Sequence, residues 1–377
     1  MKKILALLVL FSVGFVLASC GSETYEIAMI TDTGDIDDGS FNQGTWEGIE
    51  EYAKENDISH KYYKPQGESV DDYISAIDLA VAGGAKIVIT PGFYFEIPIY
   101  VAQTKYPEVN FVILDGSPHN VTVFDDATTP DVDETQTYDG EDPDFTIAEN
   151  TLSIFFNEHE AGFLAGYAVV KDGLDELGFM GGIAVPAVQR FGIGYVAGAY
   201  YAAKELELTS FAFDADYYTY LGSFGPSDDF KTMAATWYDS GVDVIHAAAG
   251  GAGFSVMAAA NERDDAWLVG VDSDQSDASD SVITSALKGV GTAAYDVLEE
   301  FYSDDFNGGN SISLSAADNA VGLPMDTSRF TTFNQAAYDA IFAKLGDTVI
   351  VPSSAADLAT FVSGLGYTLE EGFTDKI

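Results

Sequence analysis

Residues 25–56 read YEIAMITDTGDIDDGSFNQGTWEGIEEYAKEN, and they hold the reading of the fold. The opening YEIAMI is an apolar run of strand length. From Ser40 onward Trp46, Ile49 and Ala53 recur at helical spacing, which predicts a helix from about Asn42 to Asn56 with Ser40 as its cap. Between them lies a loop with Asp32, Asp35, Asp37 and Asp38. A strand, a polar loop and an amphipathic helix make one half of a parallel α/β unit.

The same rhythm continues outward. HKYYKP, KIVITPG and NFVILDG read as strands, with VDDYISAIDLAVAGG as a helix that stops at Gly83-Gly84, as helices commonly do. After an interruption, TLSIFF, GFMGGI, TSFAFDAD, VDVIHAAAG, AWLVGVDS and VITSALKG read as further strands with helices between them. A helix near Ala293–Tyr302, a strand-like SISLSAADNAVGL and a last helix around Asn334–Ala343 follow. The expectation is α/β architecture with two doubly wound lobes: residues 24–150 plus about 280–325 in the first, and 151–279 plus about 326–377 in the second. Residues 121–150, acidic and without period, read as a solvated loop excursion from the first lobe.

Residues 1–19 have the anatomy of an export signal: Lys2 and Lys3, then an apolar run from Ile4 to about Val16, short for a membrane span. Leu17-Ala18-Ser19-Cys20 closes it and resembles a bacterial lipobox, which implies a lipidated Cys20 and a soluble domain held at the extracytoplasmic face of the cell membrane. Cys20 is the only cysteine in the chain, so intrachain disulfides and CxxC chemistry are excluded. Sixteen Lys and Arg against 61 Asp and Glu give a formal net charge of −45. Such a surface repels nucleic acid and anionic headgroups and disfavours phosphorylated ligands.

Ligands of wound sheets lie beyond the carboxyl ends of the strands. That rule selects Asp32 and the loop to Asn42, then Gly92, Phe93 and Asp115 in the first lobe. In the second it selects the segment up to Arg190 and Phe191, the glycines Gly250, Gly251 and Gly253, and Asp272 and Asp274. Each has a plainer reading. Phe41 and Phe191 serve equally well as core aromatics, GGAG as a turn, and Asp115 and Asp272 as helix caps. Lys288 serves as an ordinary surface cation. His60, His119, His159 and His246 are scattered and form no zinc motif. No nucleophile–base pair emerges, and neither a metal nor a cofactor is called for.

ITDTGDIDD is similar to the calcium loop of nucleoside hydrolases, but Ile30 stands where the first aspartate belongs and the spacing from Asp32 to Asp37 is one residue too long. Calcium needs six to eight fixed oxygens, so hydrolysis is the weaker reading. TDTGDIDDGSFNQGTWEG, GFMGGIAVPAVQRFGIGYVAGA, VDVIHAAAGGAGF, WLVGVDSDQ and VITSALK, in this order after a lipobox, together resemble the basic membrane protein family, of the purine nucleoside receptor A type. The resemblance runs from about Glu26 to Lys288. It implies a type I periplasmic-binding-protein fold and a monomeric lipoprotein that delivers a purine nucleoside to the permease of an ABC transporter. It further implies that Phe41 and Phe191 sandwich the base, that Asp32 and Asn42 read its edge, and that Asp115, Gly251, Asp272 and Lys288 hold the ribose. Asp37 and Asp38 are expected to shape the loop and cap the helix. A sugar or another small polar metabolite on the same fold is the alternative ligand.

Overall fold

The computed structural model describes residues 24–120 and 145–377, so Cys20, the export signal and most of the acidic stretch lie outside the described residues. In chain order the elements are β1 (Ile27–Ile30), α1 (Phe41–Glu55), β2 (His60–Tyr63), α2 (Val70–Ala82), β3 (Ile87–Pro91), α3 (Glu96–Lys105), β4 (Asn110–Leu114) and β5 (Thr151–Phe156). Then come α4 (Glu158–Lys171), β6 (Leu177–Gly181), α5 (Pro186–Glu205), β7 (Tyr218–Tyr220), α6 (Asp228–Asp239), β8 (Val244–His246), α7 (Gly253–Ala260), β9 (Trp267–Asp272) and β10 (Val282–Lys288). The chain ends with α8 (Val290–Tyr302), β11 (Asn310–Leu314), β12 (Val321–Gly322), α9 (Gln335–Phe342) and α10 (Ala355–Leu365).

Two six-stranded sheets result, ordered β11-β5-β4-β3-β1-β2 and β12-β10-β9-β8-β6-β7. The orders are equivalent: in each, the lobe's first strand sits one in from the edge and its second strand forms that edge. All pairings are parallel except β10 with β12. Helices cover both faces, which is why β1 is apolar throughout: Ile27 and Met29 enter one core cluster, Ala28 and Ile30 another.

The chain changes lobe three times: after β5 at Asn157, after β10 at Gly289, and between β11 and β12. These crossings are bonded to one another. Asn157 N donates to Leu314 O at 2.8 Å and Gly289 N to Ala320 O at 2.7 Å. Glu160 accepts from Asn157 Nδ2 at 3.1 Å and from the buried Ala316 N at 2.7 Å.

The first two crossings each exchange a helix. α4 leaves the first sheet and packs on α5, while α8 leaves the second sheet and packs on α1. Glycines permit the contact: a Cβ at Gly162 would lie 2.1 Å from Phe191 O, one at Gly198 2.0 Å from Phe163 O, and one at Gly48 2.1 Å from Gly291 O.

Several expectations are corrected. β5 pairs with β4, so the first lobe extends past 150 to the crossing at Asn157. β10 and β12 lie in the second sheet, so of residues 280–325 only α8 and β11 return to the first lobe. Both sheets are built from the same kind of apolar run, and nothing local in the sequence marks which one a strand joins. SISLSAADNAVGL is two strands in different sheets, divided by a turn at Ala316–Asp318. TSFAFDAD forms no strand; the edge strand is the YTY of β7. The end of the acidic segment is docked: Gln103 Nε2 donates to Thr146 O at 2.7 Å, and Asn150 Nδ2 reaches the carbonyls of Gln103, Tyr106 and Val109.

Candidate functional site

A cavity of about 1000 Å³ lies between the lobes, and Asp32, Phe41, Asn42, Asp115, Phe191, Gly251, Asp272 and Lys288 all line it. That volume is at the upper end of the range for small-molecule sites, about 300–1,000 Å³.

The aspartate loop is organised by its own hydrogen bonds. Asp38, not Ser40, caps α1: Asp38 Oδ1 accepts from Ser40 N and Gln43 N, and Oδ2 from Asn42 N at 3.2 Å. Ser40 holds the N-cap position without capping; its hydroxyl crosses to the other lobe and donates to Asp272 Oδ2 at 2.5 Å. Asn42 is spent inward, donating to Asp32 Oδ1 at 2.7 Å and Asp38 Oδ2 at 2.8 Å while accepting from Asp32 N at 3.1 Å. It therefore orients Asp32, which lines the cavity. Burial pushes the Asp32 carboxyl up to about 6, against the hydrogen bonds from Gly34 and Asn42. Among the described residues no group of three or more His, Cys, Asp and Glu could hold a metal ion.

The floor of the cavity is a charge cluster. Asp115 follows β4 and Asp272 ends β9, equivalent places in the two lobes, and both have left-handed backbones with φ of 56° and 61°. Aspartate tolerates this conformation better than most residues. Lys288, 4 % exposed at the end of β10, is ion-paired with Asp115 and lies 3.0 Å from Glu158. Glu158 also accepts from Arg190 Nε at 2.6 Å. Burial raises the Asp115 carboxyl, only partly offset by Lys288. Burial also works against the Glu158 anion, but Arg190 and Lys288 outweigh it and hold that carboxyl well below the usual range. Burial opposes the charge of Lys288 too, and Asp115, Glu158 and Asp272 together keep it protonated. Asp115 Oδ1 is buried and has no hydrogen-bond partner among the described residues.

Above this cluster are the two rings. Phe41 opens α1 in the first lobe and Phe191 sits on α5 in the second. Lys288 Nζ lies 4.6 Å from the Phe41 centroid and 5.9 Å from that of Phe191, so both rings stand beside the same ammonium, Phe191 almost wholly buried in the core cluster. Phe191 is backed by His246, edge-on at 5.8 Å. His246 is fully buried, and burial pushes its pKa down to about 4. It is thus a neutral wall for the ring, where the sequence suggested no role.

Gly251 lines the cavity from the turn Gly250–Ala252, whose first residue has φ 52°; the turn and the lining are one feature. Among the described residues Asp115 and Asp272 cap no helix. Sequence reasoning missed Glu158, His246 and the lining aromatics Tyr94, Phe224 and Phe254. A signal for Glu158 exists: EHEAGFLAGYAVV is apolar around its whole circumference, so a charge in its first turn needs a buried partner.

The family model described as "Bmp: ABC transporter substrate-binding protein PnrA-like" matches residues 25–353. The chain is 30% identical over 321 residues to "ABC transporter nucleoside-binding protein BmpA" of Lactococcus lactis subsp. cremoris, covering 79% of this chain and 81% of that one. It is also 30% identical over 329 residues to "Basic membrane protein B" of Borreliella afzelii, covering 83% and 87%. Among solved structures, an ABC transporter solute-binding protein from Aeropyrum pernix K1 superimposes with TM-score 0.65 at 22% identity, covering 90% of this chain and 85% of that one. A second, from Conexibacter woesei, gives 0.63 at 20% identity, covering 88% and 99%. The two wound sheets with three crossings are the type I periplasmic-binding-protein fold, and the chain belongs to the Bmp family of PnrA-like ABC transporter substrate-binding proteins.

Proposed function

We propose that this substrate-binding protein captures a purine nucleoside between its lobes and delivers it unchanged to the permease of an ABC importer. The observation that carries the reading is that Phe41 and Phe191, from opposite lobes, stand beside the same ammonium, above a floor of Asp115, Asp272 and Lys288. A flat base between the rings gains about 1–3 kcal/mol per stack, and a micromolar complex needs about −8 kcal/mol. Asp32, held by Asn42, accepts an N–H from the base edge. Ribose hydroxyls donate to Asp115 and Asp272, Lys288 donates to a ribose oxygen, and Gly251 gives the sugar close access to backbone. A nucleoside is neutral, so the protein's acidity does not oppose it. The nucleoside-binding name of the Lactococcus relative supports this choice of ligand. The protein acts as a monomer, tethered by lipid on Cys20 outside the cytoplasmic membrane, without nucleic acid.

Paired carboxylates beside aromatic faces also suit a sugar, the second reading. Calorimetry separates the two: guanosine, adenosine or inosine should give heat, with ribose and galactose giving little. The reverse order overturns the nucleoside. Steady release of hypoxanthine from inosine would show hydrolysis in place of capture.

A further inference from the structure

Glu158 is a buried anion that stands behind the cavity wall. It is 0 % exposed and is not among the lining residues, yet it holds two that are: Lys288 at 3.0 Å and Arg190 at 2.6 Å. Among the described residues the Lys and Arg side chains lining the cavity are Lys288, Arg190 and Lys64, and Lys64 is paired with Asp35 at 2.6 Å. With Asp115 and Asp272 the cluster holds three carboxylates against two cations.

An arginine beside a lysine is the usual recruiter of a phosphate group. Here the pair is neutralised from the rear, and the front presents carboxylates suited to hydroxyl donors. We propose that Glu158 determines the charge class of the ligand: by holding Lys288 and Arg190, it makes the cleft select neutral nucleosides and reject their 5′-phosphorylated forms. This rests on the nucleoside reading and adds to it the residue responsible for the discrimination. A phosphomonoester brings about −1.5 to −2 charges at neutral pH, and it would enter beside the Glu158 anion and the carboxyl groups of Asp115 and Asp272, with no uncommitted cation among the described lining residues to meet it. Neutralising Glu158 leaves two carboxylates and two cations, and the same wall then tolerates the phosphate.

The test is titration calorimetry of the whole protein with inosine and with inosine 5′-monophosphate. Wild type should bind inosine at least about 100-fold tighter, since like-charge juxtaposition costs several kcal/mol. Glu158→Gln should bind the monophosphate at least about tenfold tighter than wild type does, with inosine changed far less. Glu158→Asp, which keeps the charge, should keep the wild-type ratio. A loss of structure would lower both affinities and cannot produce a gain for one ligand. Equal binding of the two ligands by wild type, an unaltered ratio in Glu158→Gln, or a collapsed ratio in Glu158→Asp each overturns the proposal. Should Glu158→Gln not fold, the wild-type and Glu158→Asp ratios still decide. Failure of folded wild type to bind inosine refutes the nucleoside reading itself, and this inference falls with it.

Discussion

Ser40 of the first lobe and Asp272 of the second share a 2.5 Å hydrogen bond. Beside it Gln275 Nε2 donates to Gly39 O at 2.8 Å, so the tip of the aspartate loop is fastened to the far lobe by two polar bonds. Ser40 and Asp272 both line the cavity proposed to hold the ligand, and a ligand that favours the shut form shifts the open–closed equilibrium. Ser40→Ala removes the bond without touching either ring. Ligand affinity should fall about tenfold, the scale of a hydrogen bond to a charged group at about 1.5 kcal/mol. Scattering should also show a more extended ligand-free protein; an unchanged profile and affinity would remove the fastening.

Phe41→Ala and Phe191→Ala should each weaken nucleoside binding about tenfold or more, following the energy of an aromatic–base stack. The two losses should be similar if the base stacks on both rings as proposed. Unaltered affinity in Phe191→Ala would remove the sandwich.

Asp32 supplies a pH test. Its carboxyl is raised from 3.8 to about 6 in the folded protein. Its contribution to stability is therefore fully present below 3.8 and is lost as pH rises through 6. Above that, the folded protein carries a buried anion at a cost of about 3 kcal/mol, from 1.36 kcal/mol per pKa unit. Ligand-free Asp32→Asn should be more stable than wild type above pH 6, and the gap should close toward pH 3.8. Urea unfolding of both proteins across this window checks the sign, and a gap independent of pH contradicts it. Taking the difference cancels His159 and His246, whose buried neutral rings titrate in both proteins.

Glycine substitutions separate the helix exchange from ordinary helix chemistry. Gly198→Ala drives a Cβ to within 2.0 Å of Phe163 O, a backbone atom that cannot turn aside. It should destabilise by about 1–3 kcal/mol or more and weaken ligand binding, because α5 carries Phe191. Gly364→Ala in α10 meets nothing within 4 Å and should stabilise by up to about 1 kcal/mol. Thermal melts of the two variants should move in opposite directions.

The strand-end rule and the ordered motifs placed eight residues on one cavity before any coordinates, because ligand residues at strand ends occupy short, distinctive loops. What each side chain does was less legible. Asn42 reads as a ligand contact in sequence, but its amide is committed to Asp32 and Asp38. Ser40 reads as a cap, yet the capping is done by Asp38. Both outcomes depend on which acceptor is nearer in space, and spacing along the chain cannot rank acceptors. Glu158 and His246 escaped for a different reason: the apolar helix around Glu158 signals that the charge needs a buried partner, but Lys288, Arg190 and Phe191 lie across a crossing or a sheet, and local periodicity does not say which partner a lobe change will bring.

The reciprocal transfer of α4 and α8 has a consequence for how the molecule comes into being. The half synthesised first lacks α8 and the strand Asn310–Leu314 until residue 314 has been made. The half synthesised second is seeded by a helix that follows directly from the first half's sheet. Each half is completed by elements from beyond a crossing, so ribosome-bound chains ending near residue 280 should remain protease-sensitive, with Gly44 and Gly48 lacking the contact that Gly291 supplies.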